Sequence, residues 1–223
     1  MASDAESLRS DRNAPSVTAP RPRSGRLFGG GASGNERLTA LTGVVLLVLL
    51  AALGVTIVRI SGLLNEHMFL GMLLRGPGAL KISSTGYRFV RYYTANPRYR
   101  AKGPPPAIMR AIAPIVVIST VVVFASGVAL LYAPSSRSTL LPLHKVSFFV
   151  WLAFTALHVL GHLAELPAAL RAGGRSDRPW DDLGAGRAGR ALSLAAALVG
   201  GLLLALVGES RFDVWAHLHH HLH

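Results

Sequence analysis

His144 and His158 lie fourteen residues apart in one strongly apolar segment, LHKVSFFVWLAFTALHVLGHLAEL, and His162 follows one turn later. Fourteen residues on an α-helix are close to four whole turns. The two imidazoles therefore point the same way, within roughly 40°, about 21 Å apart along the axis. That is most of a bilayer's hydrocarbon thickness of about 30 Å. A neutral imidazole is a common ligand for haem iron. Two on one face, one towards each membrane surface, is an arrangement for holding cofactors that carry electrons across.

Such a helix needs neighbours that also cross, and the composition supplies them. The chain has 223 residues, of which 51% are hydrophobic, and no cysteine. Its mean hydropathy is +0.41. The apolar residues come in blocks, which predicts an all-α integral membrane bundle. Without cysteine there are no disulfides, no thiolate-bound iron–sulfur clusters and no covalent c-type haem. A net charge of +12 would suggest nucleic acid for a soluble protein. Here basic residues gather in loops flanking apolar spans, so no nucleic-acid partner is expected. Arg outnumbers Lys twenty to three, a hint of a GC-rich bacterial genome.

Residues 1–37 are polar and aperiodic and read as a disordered cytoplasmic tail. Spans are expected at 38–60, 65–90, 107–132 (bent at Pro114), 143–168 and 191–208. The segment 65–93 contains Arg75, Pro77, Lys81 and four glycines. The positive-inside rule makes it a crossing, because the basic run 91–106 then lies on the same side as the basic tail. A basic cytoplasmic loop, 169–190, precedes the fifth helix, and 209–223 forms a His-rich extracytoplasmic tail. Residues 38–168 are the four-helix core, and the N-terminus is inside with the C-terminus outside.

In this layout His67 and His144 begin the second and fourth spans at the same boundary. They are the candidate axial ligands of one haem; the plainer description is of two polar helix ends. Lys81, fourteen residues after His67, matches the depth of His158, and Arg75 lies between. An intramembrane cation needs a partner such as a haem propionate, a carboxylate or a watery cavity. His158, His162 and Glu165 share a helical stripe, suited to a second haem, a non-haem metal or a quinone pocket. For His162, a hydrogen bond to a backbone carbonyl or to Ser119 or Thr120 is an equal alternative. His217, His219, His220 and His221 in the tail could bind a divalent metal.

These residues resemble the b-type membrane cytochromes, the helical-bundle subunits of formate dehydrogenases, nickel hydrogenases and related bacterial enzymes. In that family one helix carries two haem ligands fourteen residues apart, like His144 and His158. The start of another helix supplies the outer haem's second ligand, like His67 in HMFLG. LKISSTGYRFVRYYTANPRYRAKGPPP and LHKVSFFVWLAFTALHVLGHL are similar to actinobacterial proteins of this type. The resemblance covers residues 38–168. It implies haem b, electron transfer to or from membrane quinone, a bacterial cell-membrane location and an extracytoplasmic metallo-oxidoreductase partner, such as a molybdopterin enzyme. One feature departs from the family: its first helix supplies a ligand to the inner haem, and 38–60 contains no histidine. Two other classes fit parts of the chain. HVLGH (158–162) together with His217, His220 and His221 resembles the boxes of a non-haem di-iron oxygenase or desaturase. A cofactor-free scaffold or metal-handling membrane protein is the third.

Overall fold

The computed structural model describes residues 31–100, 107–173 and 186–220. These form helices α1 (Gly31–Val58), α2 (Leu64–Leu73), α3 (Arg75–Tyr93), the single turn α4 (Pro97–Arg100), α5 (Ala107–Tyr132), α6 (Arg137–Gly173) and α7 (Arg187–His220). Among the described residues there is no strand. Four helices, α1, α5, α6 and α7, are long and apolar enough to cross a membrane. Large apolar side chains on them point outward, among them Val48, Val121, Phe149 and Val207. Water would penalise such an exterior, whereas lipid accommodates it.

Several boundaries differ from expectation. Residues 31–37, placed in the polar tail, are the first turns of α1; residues 1–30 lie outside the described set. The helix bearing His144 starts at Arg137 rather than 143 and extends to Gly173. Much of the segment 209–223 is helical, because α7 continues to His220. Pro114 lies inside a continuous α5. Residues 174–185 of the expected basic loop are outside the described set.

The segment 64–93 is one helical rod with a fault at Leu74. Amide bonds from Leu74 to the Leu70 carbonyl (2.9 Å) and from Gly78 to the Leu74 carbonyl (2.8 Å) carry the ladder across it. Pro77 has no N–H for the carbonyl of Leu73, so the ladder is broken there. Leu74 and Pro77 are fully buried at this fault.

Side-chain contacts give the topology. α1 and α2–α3 are antiparallel, because Thr56 meets His67 at one end while Asn35 meets Ser84 at the other. α5 and α6 form a second antiparallel pair, with Ser126 bonded to His144 and Trp151 to Thr120. α3 and α5 are antiparallel too, as Arg75 reaches Phe124 and Arg110 reaches Tyr93. α7 packs against α2–α3. Its Phe212 joins Met72, Leu130 and Leu131 in one apolar cluster.

The crossing of α7 with the fault is close enough to need glycine on both sides. A Cβ on Gly76 would run into the Ala197 carbonyl, and one on Gly201 into the Leu73 carbonyl. Small residues at such crossings let helix backbones touch where no hydrophobic force separates lipid from protein. Gly200, its neighbour, has open space at the same position. Gly201→Ala should therefore destabilise the bundle by roughly 1–3 kcal/mol through overpacking. Gly200→Ala should be neutral or stabilising, since it only removes unfolded-state freedom. Thermal unfolding of the two variants in detergent, followed by circular dichroism, checks the difference in sign.

Candidate functional site

Hydroxyl side chains inside an apolar helix bond back to carbonyls three or four residues earlier. Thr56 does so to Leu53 (2.6 Å), Ser126 to Val123 (3.1 Å) and Thr120 to Val116 (2.6 Å). Each hydroxyl has one hydrogen, so each oxygen is left as an acceptor only. Two of these oxygens face histidines. Thr56 Oγ1 is 3.1 Å from Nδ1 of His67, and Ser126 Oγ is 3.0 Å from Nδ1 of His144. The imidazoles must then donate through Nδ1–H, which leaves Nε2 of each ring as a bare lone pair. An outer partner on Nδ1 that fixes the tautomer is the usual support of a metal-ligating histidine.

His67 and His144 line the same cavity, about 540 Å³ in volume. That falls within the range of cofactor and ligand pockets. Its walls come from α1 (Leu50, Leu53, Ile57), α2–α3, α5 (Val123, Phe124, Gly127) and α6 (Phe148, Trp151). α5 and α6 pack on each other, as do α1 and α2–α3, and the cavity occupies the space between the two pairs. Among the described residues, none of α7 lines it. Gly127 leaves room for this ring: a Cβ there would come within 3.2 Å of Cε1 of His144, which would have to shift slightly. Trp151 is held by a 2.9 Å bond from its Nε1 to Thr120 Oγ1.

The charge of the cavity is one-sided. Arg75 and Lys145 line it, and no Asp or Glu does. Arg75 Nη2 donates to the Phe124 carbonyl at 3.3 Å. Its Nε is buried, with no hydrogen-bond partner among the described residues. A guanidinium so placed is matched to an anionic group on whatever fills the space.

The other candidates are elsewhere. Lys81 does not line the cavity: its Nζ donates to the Thr39 carbonyl at 2.7 Å, next to Gly43. Asn35 Nδ2 donates to the Ser84 carbonyl (3.0 Å), and the Thr39 and Ser84 hydroxyls are 3.1 Å apart. This polar contact closes α1 onto α3 at that level. His158 is also absent from the cavity wall. His162 and Glu165 are on α6, and His217, His219 and His220 are on the last turns of α7; the side chains of these five and the whole of His221 lie outside what the structure describes. The two expected His boxes are at opposite ends of the bundle. α7 brings its C-terminal part to the cavity end, where Phe212 meets Met72, and α6 carries His158 away from that end. Among the described residues no group of three His, Asp or Glu side chains is placed to hold a metal ion.

Sequence reasoning missed Thr56, Ser126 and Gly127. Their signal was present: a Thr two residues from the end of α1, and a Ser-Gly pair within the apolar run of α5. No family model, no curated protein and no solved structure matches this chain.

The tautomer assignment is open to direct measurement. In protein labelled with ¹⁵N-histidine and prepared without cofactor, His67 and His144 should show the Nδ1-protonated pattern. Ser126→Ala should release His144 into a tautomer mixture and leave His67 unchanged. An Nε2-protonated signal from either residue in the unsubstituted protein would contradict the arrangement.

Proposed function

We propose that the protein is a membrane cytochrome b. It holds one haem in the cavity between α2 and α6 and passes electrons between a redox partner at that membrane face and the quinone pool. The observation that carries this reading is the pair of imidazoles in one apolar cavity, each with Nδ1 at hydrogen-bond distance from a hydroxyl. The donor set fits haem in charge as well, since Arg75 and Lys145 in the wall can take the propionates.

When bound, haem supplies a one-electron couple whose potential depends on axial ligands, nearby charge and burial. The chain's own residues do the rest. His67 and His144 would hold the haem iron through their imidazoles. Thr56 and Ser126 hold the rings in orientation and increase their basicity. Arg75 raises the local positive potential, which favours the reduced state. The apolar walls from Leu50 to Phe148 exclude water.

The crossing of α2–α3 belongs to the same proposal. It runs beside α1 from His67 to Ser84, about 25 Å of helix, nearly the hydrocarbon thickness. Five alternating passes then put the N-terminus and the basic run 91–106 on the cytoplasmic side of a bacterial membrane. The cavity and the C-terminus of α7 fall on the outer side. A metallo-oxidoreductase docked there, of the molybdopterin kind in the cytochromes this chain resembles, would exchange electrons with the haem.

Purified protein reduced with dithionite should show the sharp α-band of low-spin haem b, with one haem per chain by pyridine haemochrome. His67→Ala and His144→Ala should each abolish the band, whereas His217→Ala should leave it. A colourless preparation from haem-replete cells would overturn the reading. Thr56→Val should keep the fold but weaken haem retention about 10- to 100-fold, as expected for loss of a supporting hydrogen bond; titration of cofactor-free protein with haemin measures it.

A further inference from the structure

Between Glu66 and Glu165 the chain carries ten Arg and Lys residues and no Asp or Glu. Six of the ten, Arg88, Arg91, Arg98, Arg100, Lys102 and Arg110, fall within 88–110. α3 ends there in a Schellman turn: Asn96 N donates to the Arg91 carbonyl (3.2 Å) and Ala95 N to the Tyr92 carbonyl (3.3 Å). Ala95 takes the left-handed conformation this requires, with φ of 60°. The turn folds α4 back on α3, so Tyr99 packs edge-on against Tyr87 at 6.1 Å.

The guanidinium of Arg91 sits over the Tyr87 ring, 5.9 Å from its centroid. Its Nε is buried and has no hydrogen-bond partner among the described residues. Arg88 and Arg91 both act electrostatically on Tyr99. Burial, with Tyr87 beside it, pushes the Tyr99 hydroxyl above its usual range, so it is a neutral phenol and not a counterion. On the neighbouring side Arg110 Nη2 donates to Tyr93 Oη at 2.8 Å, and Phe89 stacks on Tyr93. Tyr87, Phe89, Val90 and Tyr93 are more than half exposed. Exposed aromatics beside guanidiniums at a helix end suit the headgroup level of a bilayer.

We propose that Arg88, Arg91 and Tyr99 form a binding site for the phosphodiester of an anionic phospholipid, with Tyr87 as its floor and Phe89 and Tyr93 anchoring the adjacent face among acyl chains. Juxtamembrane clusters of this kind recognise acidic lipids by charge. The stretch that carries these arginines supplies no carboxylate of its own. The proposal does not depend on the cofactor.

The test is lipid retention by full-length protein in nanodiscs of mixed phosphatidylglycerol and phosphatidylcholine, read by native mass spectrometry after extraction. The unsubstituted protein should keep phosphatidylglycerol in preference to phosphatidylcholine. R88Q/R91Q should lower that preference about 25-fold, or fivefold for each charge removed. R88K/R91K should retain most of it, and Arg59→Gln, at the opposite end of α1, should retain all of it. Circular dichroism of each variant separates lost binding from lost fold. Equal retention of the two lipids, an unchanged preference in R88Q/R91Q, or displacement by inorganic phosphate at the lipid's own concentration would overturn the proposal.

Discussion

The site rests on a shortage of hydrogen atoms. In hydrocarbon surroundings no water makes up a missing hydrogen bond, so each polar group must be matched within the protein. Thr56 and Ser126 have each given their one hydroxyl hydrogen to their own helix. What remains is an acceptor, and the only partner it can take is a donor. This fixes the protonation pattern of both imidazoles without any carboxylate. It also fixes register, because the Thr56–His67 bond sets α1 against α2 and the Ser126–His144 bond sets α5 against α6. Sliding either pair by one turn would strand a buried N–H, at about 1–3 kcal/mol.

Much of this could be read from the chain, and what could not has a definite cause. The four apolar helices follow from block hydropathy. That His67 and His144 face one cavity follows from their matched depth at the starts of two spans running the same way. The fourteen-residue spacing also places Lys81 on the face of His67, and both do meet α1. Spacing cannot say how far away the neighbouring helix lies. At the level of His67 the helix pairs stand apart around a cavity; at Lys81, Gly43 and the Thr39 carbonyl are in contact with the amine. His158 fails to reach the cavity at the corresponding level of α6. The fault at Leu74 was implicit in Pro77, but its packing against Gly201 is a long-range fact that no local pattern carries.

The bundle is therefore polar in two different ways along its length. Near the N-terminal end of α1, Asn35, Thr39, Lys81 and Ser84 spend their hydrogen bonds on one another and on backbone, and the helices close. Near its C-terminal end α1 is hydrogen-bonded to α2 through Thr56 and His67, and the space beyond them is open. A closed half needs nothing further. An open half lined by leucine, phenylalanine and tryptophan, with a guanidinium at its edge, is incomplete as a protein core: empty apolar volume forfeits packing, at roughly 24 cal/mol per Å³ in measured cavities.

Charge then discriminates among the molecules able to complete it. A neutral ring system such as a quinone would fill the volume and could accept from Arg75, but it would leave the cation without a counter-charge. A lipid acyl chain would leave both Nε2 lone pairs and the guanidinium unmatched. A flat, apolar macrocycle with a metal at its centre and carboxylates at its rim would satisfy the lone pairs, the walls and the cation together. Because no Asp or Glu lies between Glu66 and Glu165, the bundle has little negative charge of its own with which to neutralise Arg75 from within. The same acid-free stretch carries Arg88 and Arg91 at the far end of α3. One compositional fact thus bears on both ends of the molecule: the proposed cofactor and the proposed lipid would each bring an anion that the acid-free stretch does not itself supply.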